Sequence, residues 1–309
     1  MHLLIPFASC SSEKCQQTLR ALKLPQLEKL LSRLTPLALD VGDEFSLSPP
    51  HERALARALG LPVVDGLIPW AALQAQGLEA SWGFITPCHW HVGSKHVAMS
   101  GPELPDFPAT ESQALLAAMQ PYFEEDGLTL QFEQPNRWLA RGAALEGLAT
   151  ASLDRVAGRH VERWMPDGER AARLKRLQSE MQMLLHTHPV NEARSQRGVP
   201  TVNSFWISGT GALPQALPQP AIATQPVLVY TLRDAALNED WAAWAQAWQA
   251  LDASQCAALL TALSQGKNCQ LTLCGERHAQ SLSAQPQTYR KRFMNIFSTQ
   301  PPSVLLEQL

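Results

Sequence analysis

The sequence changes texture twice, and this double change limits its folds more than any other feature. Before about residue 80 and again after about residue 202, apolar strand-like runs alternate with helical segments. At the start, residues 3–8 suit a central strand, and Ser11 and Ser12 offer N-caps for a helical region through Leu34, broken at Pro25. Residues 37–39 read as a short strand, and HERALARALGL (51–61) as a helix ending near Gly60. In the last third, residues 227–232 form an apolar strand. Asn238, Glu239 and Asp240 then start a helix carrying Trp241, Trp244 and Trp248, before a helix at 252–263 and a strand at 270–274. Such alternation predicts an α/β half-sheet.

The middle is different. Residues 82–86 and 89–99 read as strands, with Gly93-Ser94 as a hairpin turn. Thr110-Glu111-Ser112-Gln113 has the form of a capping box ahead of an Ala/Leu helix ending near Phe123, and strands follow at 128–132 and 138–140. Residues 168–185 have apolar positions at helical spacing (Leu174, Leu177, Met181, Leu184), and VNSFWIS (202–208) is again a strand. Strands, helix, strands predict a small α+β sandwich of roughly ferredoxin-like size, an independent layer. Pro214, Pro218, Pro220 and Pro226 mark a solvated connector.

Composition serves mainly to exclude. At 309 residues the chain suits one large or two modest domains, at about 150 residues each. Lys and Arg total 25 against 28 Asp and Glu, a net charge of −3, so nothing in bulk draws it to nucleic acid or anionic lipid. No run approaches the ~18 apolar residues of a membrane span. MHLLIPFASC lacks the basic start of a secretory signal and is interrupted by Pro6, so the expectation is a cytoplasmic protein with reduced thiols. The six cysteines form no C-x-x-C pair, although Cys10/Cys15 and Cys269/Cys274 share a four-residue gap.

Local motifs carry alternatives. His89 and His91 on one strand would face the same side, as an H-x-H metal pair must, or would line a half-buried hairpin. His186 and His188 lie at a helix end, where i and i+2 side chains diverge. Gly209-Thr210-Gly211 follows a strand as a phosphate loop does, but without Walker spacing it reads as a tight turn. The tryptophan stripe reads as core.

The most specific stretch is His188-Pro189-Val190-Asn191-Glu192-Ala193-Arg194, continuing through Arg197-Gly198 to Asn203 and the Gly209-Thr210-Gly211 strand end. It resembles the archaeal-type cofactor-independent phosphoglycerate mutases of the alkaline-phosphatase superfamily, best over residues 80–211. Residues 136–142 (NRWLARG) are similar to that family's lid strand, and 153–159 (LDRVAGR) to a turn before a long helix. The whole chain is similar to a bacterial branch labelled phosphoglycerate mutase or pathogenicity-factor regulatory protein. The resemblance implies a reduced alkaline-phosphatase-like core at 1–80 and 202–309, with an inserted α+β (ferredoxin-like) lid domain and hinge helix at 81–201. It also implies a chain shorter than the mutases, mostly in the catalytic half.

In that family two metals held by Asp and His activate a Ser or Thr nucleophile, and two-metal phosphoryl transfer needs a carboxylate-rich cage. Here the first strand ends Pro6-Phe7-Ala8-Ser9 where the family has Asp-Gly. By resemblance, Asp234 is kept, Asn238 replaces a His, and Glu276-Arg277 stands where Asp-His belongs, with His278 one position late. A guanidinium there opposes a divalent cation directly. The expectation is therefore a catalytically degenerate, metal-free protein with a regulatory or ligand-binding role, taking a phosphorylated small molecule or a protein partner. The alternatives are an active mutase or phosphatase with a rearranged Mn or Mg site, and a docking scaffold. Asn191, Arg194 and Asn203, near the domain junction expected from the sequence, and Arg137 and Arg141 on the lid strand are the candidate ligand contacts, the arginines through their planar donor fork. Structural roles compete: Asn191 and Asn203 can satisfy backbone groups in a turn.

Overall fold

The apolar start forms β1 (His2–Ile5), and Ser12 caps α1 (Glu13–Ala21) by accepting the Cys15 N–H; α2 (Pro25–Leu31), β2 (Thr35–Asp40) and α3 (Pro50–Leu59) follow. Next come α4 (Trp70–Ala75), β3 (Trp82–Cys88), β4 (Trp90–Val92), β5 (Val97–Met99), α5 (Ala109–Glu125), β6 (Thr129–Gln134) and β7 (Arg137–Arg141). The chain continues through α6 (Leu153–Val156), α7 (Glu169–His186), α8 (Pro189–Gln196) and β8 (Ser204–Gly211). It ends with β9 (Val227–Leu228), α9 (Arg233–Leu237), α10 (Trp241–Leu251), α11 (Ala257–Ser264), β10 (Gln270–Cys274), β11 (Ala279–Ser283) and α12 (Pro302–Leu306). This computed structural model describes residues 1–77, 80–93, 96–214, 225–284 and 301–309, without the side chains of 169 and 170. Most of the Pro-rich connector, 215–224, lies outside the described residues. No helix among the described residues is long and apolar enough to cross a membrane.

Contacts divide this mixed α/β chain into two units, residues 1–60 with 219–309, and residues 61–218. These boundaries differ from the 80/81 and 201/202 expected from the resemblance. One reason is that β8 pairs with β3 and so belongs with the inserted unit.

In the discontinuous unit the sheet order is β2-β11-β10-β1-β9, with β1 parallel to both β10 and β9 and the other pairs antiparallel. A buried parallel strand must be apolar on both faces. Accordingly Leu3 and Ile5 pack with Leu19, Leu27, Trp244 and Leu259, while Leu4 packs with Cys274, Ala54 and Leu55. The tryptophan stripe is core, as Trp244 and Trp248 are fully buried. Their indole N–H groups donate to the carbonyls of Phe7 (3.0 Å) and Ala8 (3.3 Å), fixing the chain after β1. Between α10 and α11 lies a π turn, Asp252–Cys256. It directs the buried Asp252 carboxylate onto the N–H groups of Gln26 (3.1 Å) and Leu27 (2.7 Å) at the start of α2.

The other unit has an antiparallel sheet ordered β6-β7-β3-β8. With α5 after β3 and α7 after β7, this is the β-α-β-β-α-β connectivity and strand order of a ferredoxin-like layer. Its core joins Ile85, Trp138, Phe205 and Ile207 of the sheet to Leu115, Met119 and Phe123 of α5 and Leu174, Leu177 and Met181 of α7. No capping box forms. Pro108 is the N-cap of α5 and Thr110 lies inside the helix. Ser112 instead donates to the Pro135 carbonyl and accepts from Trp138 Nε1.

Gly209-Thr210-Gly211 is neither loop nor turn. It lies within β8, at a register shift opposite Trp82 and Phe84. Gly209 (φ 62°) and Gly211 (φ 149°) take backbone angles that favour glycine, and a Cβ on Gly211 would meet the Leu67 carbonyl at 2.6 Å. The bulge turns the Thr210 hydroxyl inward, where it donates to the Leu148 carbonyl at 2.6 Å.

Candidate ligand cleft

Helix α7 buries Ala171, Leu174, Leu177, Met181 and Leu185 at three- and four-residue steps. The same periodicity brings Lys175, Ser179, Gln182 and His186 into one polar row along an open side. That row forms one wall of a cleft of about 960 Å³ inside the 61–218 unit. The hairpin β4–β5 contributes Trp90, Val92 and Val97, the segment before α7 adds Val161, Glu162 and Met165, and His188, Asn191, Glu192 and Ser195 come from α8 and its N-cap.

Asn191 and Asn203 build this cleft and spend their amides doing so. Asn191 donates to the carbonyls of Leu185 and Val202 (both 2.7 Å) and accepts from the Val202 N–H (2.8 Å), tying the end of α7 to the approach of β8. Asn203 accepts from the Trp90 N–H (2.6 Å) and donates to the Trp90 carbonyl (2.8 Å), anchoring β4. Arg194 does not line the cleft. It is fully buried, donating to the carbonyls of Pro200, Asp106 and Pro105 and to Glu111 (2.9 Å), with its guanidinium 5.1 Å from the Phe107 ring centre. Burial pushes the Glu111 carboxyl up, but the hydrogen bonds and charges of Arg194 and Arg197 outweigh it and hold the group below its ordinary value. All three residues lie within the 61–218 unit rather than at the edge of an 81–201 insert.

The arginines of β7 are also engaged. Arg137 makes a paired contact with Glu133 (2.7 and 3.0 Å) and lies over Phe84, and Arg141 lies over Trp82. His89 falls in the break between β3 and β4, its Nδ1 2.8 Å from the Thr201 carbonyl, while His91 is exposed on β4. The interruption between β3 and β4 at His89 removes the strand alternation that the metal-pair reading requires.

Gln178 and His188 are cleft groups with unused capacity, and periodicity alone singles out neither. Gln178 is buried and donates Nε2 to the Phe205 carbonyl (3.2 Å), leaving Oε1 buried with no hydrogen-bond partner among the described residues. An amide flip would set oxygen against oxygen, so the acceptor is the atom left over. His188 is the N-cap of α8, its Nδ1 accepting the Val190 N–H at 3.2 Å. The neutral ring therefore carries its proton on Nε2. Burial lowers the His188 pKa, which favours that neutral form.

In the discontinuous unit, the positions implied by the mutase resemblance do not form a cage. The Glu276 carboxylate accepts from the Ser11 N–H (3.0 Å) and hydroxyl, Arg277 pairs with Glu44 (3.2 Å), and exposed Asp234 contacts Arg233 (3.4 Å). The Asn238 side chain donates to the Asp234 carbonyl at 2.8 Å. Among the described residues, no three His, Cys, Asp or Glu are grouped as a metal ion would need.

No protein-family model and no curated protein matches the chain. Among solved structures, the PH0037 protein from Pyrococcus horikoshii aligns over 95% of this chain and 92% of its own, with TM-score 0.45 and 13% identity. A cofactor-independent phosphoglycerate mutase from Thermoplasma acidophilum aligns over 93% of this chain and 90% of its own, with TM-score 0.37 and 12% identity. Both likenesses are distant.

Proposed function

We propose that this protein binds a small molecule in the cleft between α7, α8 and the β4–β5 hairpin, and that it has lost the two-metal phosphotransfer of the family its sequence resembles. The unsatisfied Gln178 Oε1 carries the reading. A buried acceptor without a partner costs about 1–3 kcal/mol, a cost that a ligand N–H or O–H removes once the Gln178 side chain turns toward the cleft it lines. Trp90, Val97, Val161 and Met165 supply apolar surface, and His188 Nε2–H supplies a donor. Apolar walls with a few convergent polar groups suit a ligand having a flat apolar body and at least one donor. Lys175 and His186 leave room for a phosphate substituent, although the arginines expected to hold it are bonded elsewhere. The loss of phosphotransfer is supported by the local bonding of Glu276, Arg277, Asp234 and Asn238.

A thermal-shift screen tests both halves. The probes are neutral heteroaromatics such as uracil and indole, adenine nucleotides, 3-phosphoglycerate, Mn²⁺ and Mg²⁺. A cleft ligand at 100 times its Kd stabilises the fold by about 2.7 kcal/mol, and Gln178→Leu should abolish that gain. Stabilisation by Mn²⁺ together with isomerisation of 3-phosphoglycerate would instead establish an active mutase. A ligand gain that Gln178→Leu leaves intact would move the site elsewhere.

A further inference from the structure

Cys10 and Cys15 lie at the start of α1, in the other unit from the cleft. Cys10 is the half-exposed cysteine; the remaining five are buried. Its Sγ is 3.3 Å from Ser12 Oγ, the same oxygen that caps α1 by accepting the Cys15 N–H at 3.3 Å. Cys10 Sγ and the Cys15 N–H thus meet on one hydroxyl, and the two thiols are close enough to influence each other's ionisation. The loop holding Cys10 is anchored on both sides, by Trp244 and Trp248 on the carbonyls of Phe7 and Ala8 and by Glu276 on Ser11. A half-exposed thiol beside a buried one, in a fixed loop, has the form of an attacking and a resolving cysteine.

We infer that Cys10 and Cys15 form an oxidant-reactive dithiol, in which Cys10 is oxidised by a hydroperoxide and Cys15 closes a Cys10–Cys15 disulfide. In the first step the Cys10 sulfur attacks the terminal peroxide oxygen and the O–O bond breaks. Cys10 becomes a sulfenic acid, and the leaving oxygen takes up a proton as water or an alcohol. In the second, Cys15 loses its proton and its sulfur attacks Cys10, expelling hydroxide that is protonated to water. Two thiols lose two electrons in total, and one peroxide gains them. The electrostatics support this division of labour. Hydrogen bonding from Cys15, with help from Ser12, brings the Cys10 pKa down to about 7 against burial and the Glu276 charge. The same bond, with burial, pushes Cys15 up. Burial also raises Cys88, Cys274 and Cys256, the last to about 12.

Lys14 lies between the two cysteines, so trypsin separates residues 1–14 from 15–20 unless a disulfide joins them. The full-length reduced protein is treated with hydrogen peroxide, alkylated with iodoacetamide and digested without reductant. The expected product is the joined pair of peptides, which dithiothreitol releases. In Cys15→Ser, oxidation should stop at a Cys10 sulfenic acid that dimedone traps. Without peroxide, Cys10 should alkylate at pH 7 roughly threefold faster than an unstructured cysteine, since its larger thiolate fraction outweighs its lower nucleophilicity. Separate peptides with both cysteines alkylated after excess peroxide would overturn the inference. So would a disulfide joining Cys10 to any cysteine other than Cys15.

Discussion

In residues 1–60 and 219–309, polar side chains tie loops and helix ends together around a mixed sheet, whereas in residues 61–218 they build the walls of a cleft. Glu276 on Ser11 and Asp252 on the start of α2 are examples of the first use, and Asn191 and Asn203 of the second. Glu276, Asn191 and Asn203 attract attention in the sequence as a vestigial metal position or as ligand contacts, yet each bonds the protein itself. Groups with capacity left, Gln178 Oε1 and His188 Nε2–H, are therefore better guides to a ligand than the more conspicuous arginines.

The comparison breaks most sharply at Arg194. Arg194→Met leaves Glu111 without its main partner and strips hydrogen bonds from three carbonyls. Removing one partner of a buried ion pair costs about 3–5 kcal/mol. Urea denaturation should show that loss, with amide-exchange protection falling first in α5 and α8. Glu276→Ala, which removes two more exposed bonds, should cost only about 0.5–1.5 kcal/mol each at most. If Arg194 were a ligand contact held in reserve, its replacement would leave stability nearly unchanged and weaken binding alone.

Acid should discriminate next. Burial, reinforced by the nearby N-terminal ammonium, lowers the pKa of His2 to about 4, and its Nε2 lies 2.9 Å from Thr272 Oγ1. A depressed histidine is neutral in the folded state and takes up its proton more readily once unfolded. Its contribution is thus fully present above pH ~6.5 and lost as pH falls from there toward 4, an amount on the order of 3 kcal/mol. Stability measured between pH 7 and pH 4 should fall, and His2→Gln should flatten part of that fall. An unchanged slope in the variant would refute the assignment to His2.

Much of the fold is legible because it rests on short-range pattern. The apolar run of β1, the Ser12 cap, the Gly60 helix end and the spacing of Leu174, Leu177 and Met181 each specify their element locally. What escapes is set by distant partners. Gly209-Thr210-Gly211 looks like a turn until β3 supplies the strand against which it bulges, and β11 lacks an apolar run because it pairs between β10 and a largely exposed β2. At the cleft, sequence identifies Asn191 and Asn203 as polar residues near a turn but cannot show their amides to be consumed. Gln178 is hidden for the opposite reason: it is a polar residue on the buried side of α7, and only the position of the Phe205 carbonyl shows which of its atoms lacks a partner.

The smallest expected effect sharpens the comparison at one residue that serves both uses. His188 caps α8 through Nδ1 and lines the cleft. His188→Ala should lose an N-cap worth about 0.5–2 kcal/mol, and His188→Asp should restore it, because a carboxylate accepts the same N–H and favours the helix N-terminus. The variants also differ in pH response. Burial lowers the wild-type pKa, so the histidine cap is intact above pH ~6.5 and weakens as acid protonates Nδ1. The aspartate cap persists to lower pH, until its own carboxyl is protonated. Unfolding at pH 7 and pH 5.5 should therefore show His188→Asp equal to wild type at the first pH and more stable at the second, by a few tenths of a kcal/mol. Ligand binding should separate the two roles, since neither variant offers the Nε2–H donor. If His188→Asp keeps both stability and affinity, His188 is a cap only, and the ligand's polar contacts must then centre on Gln178.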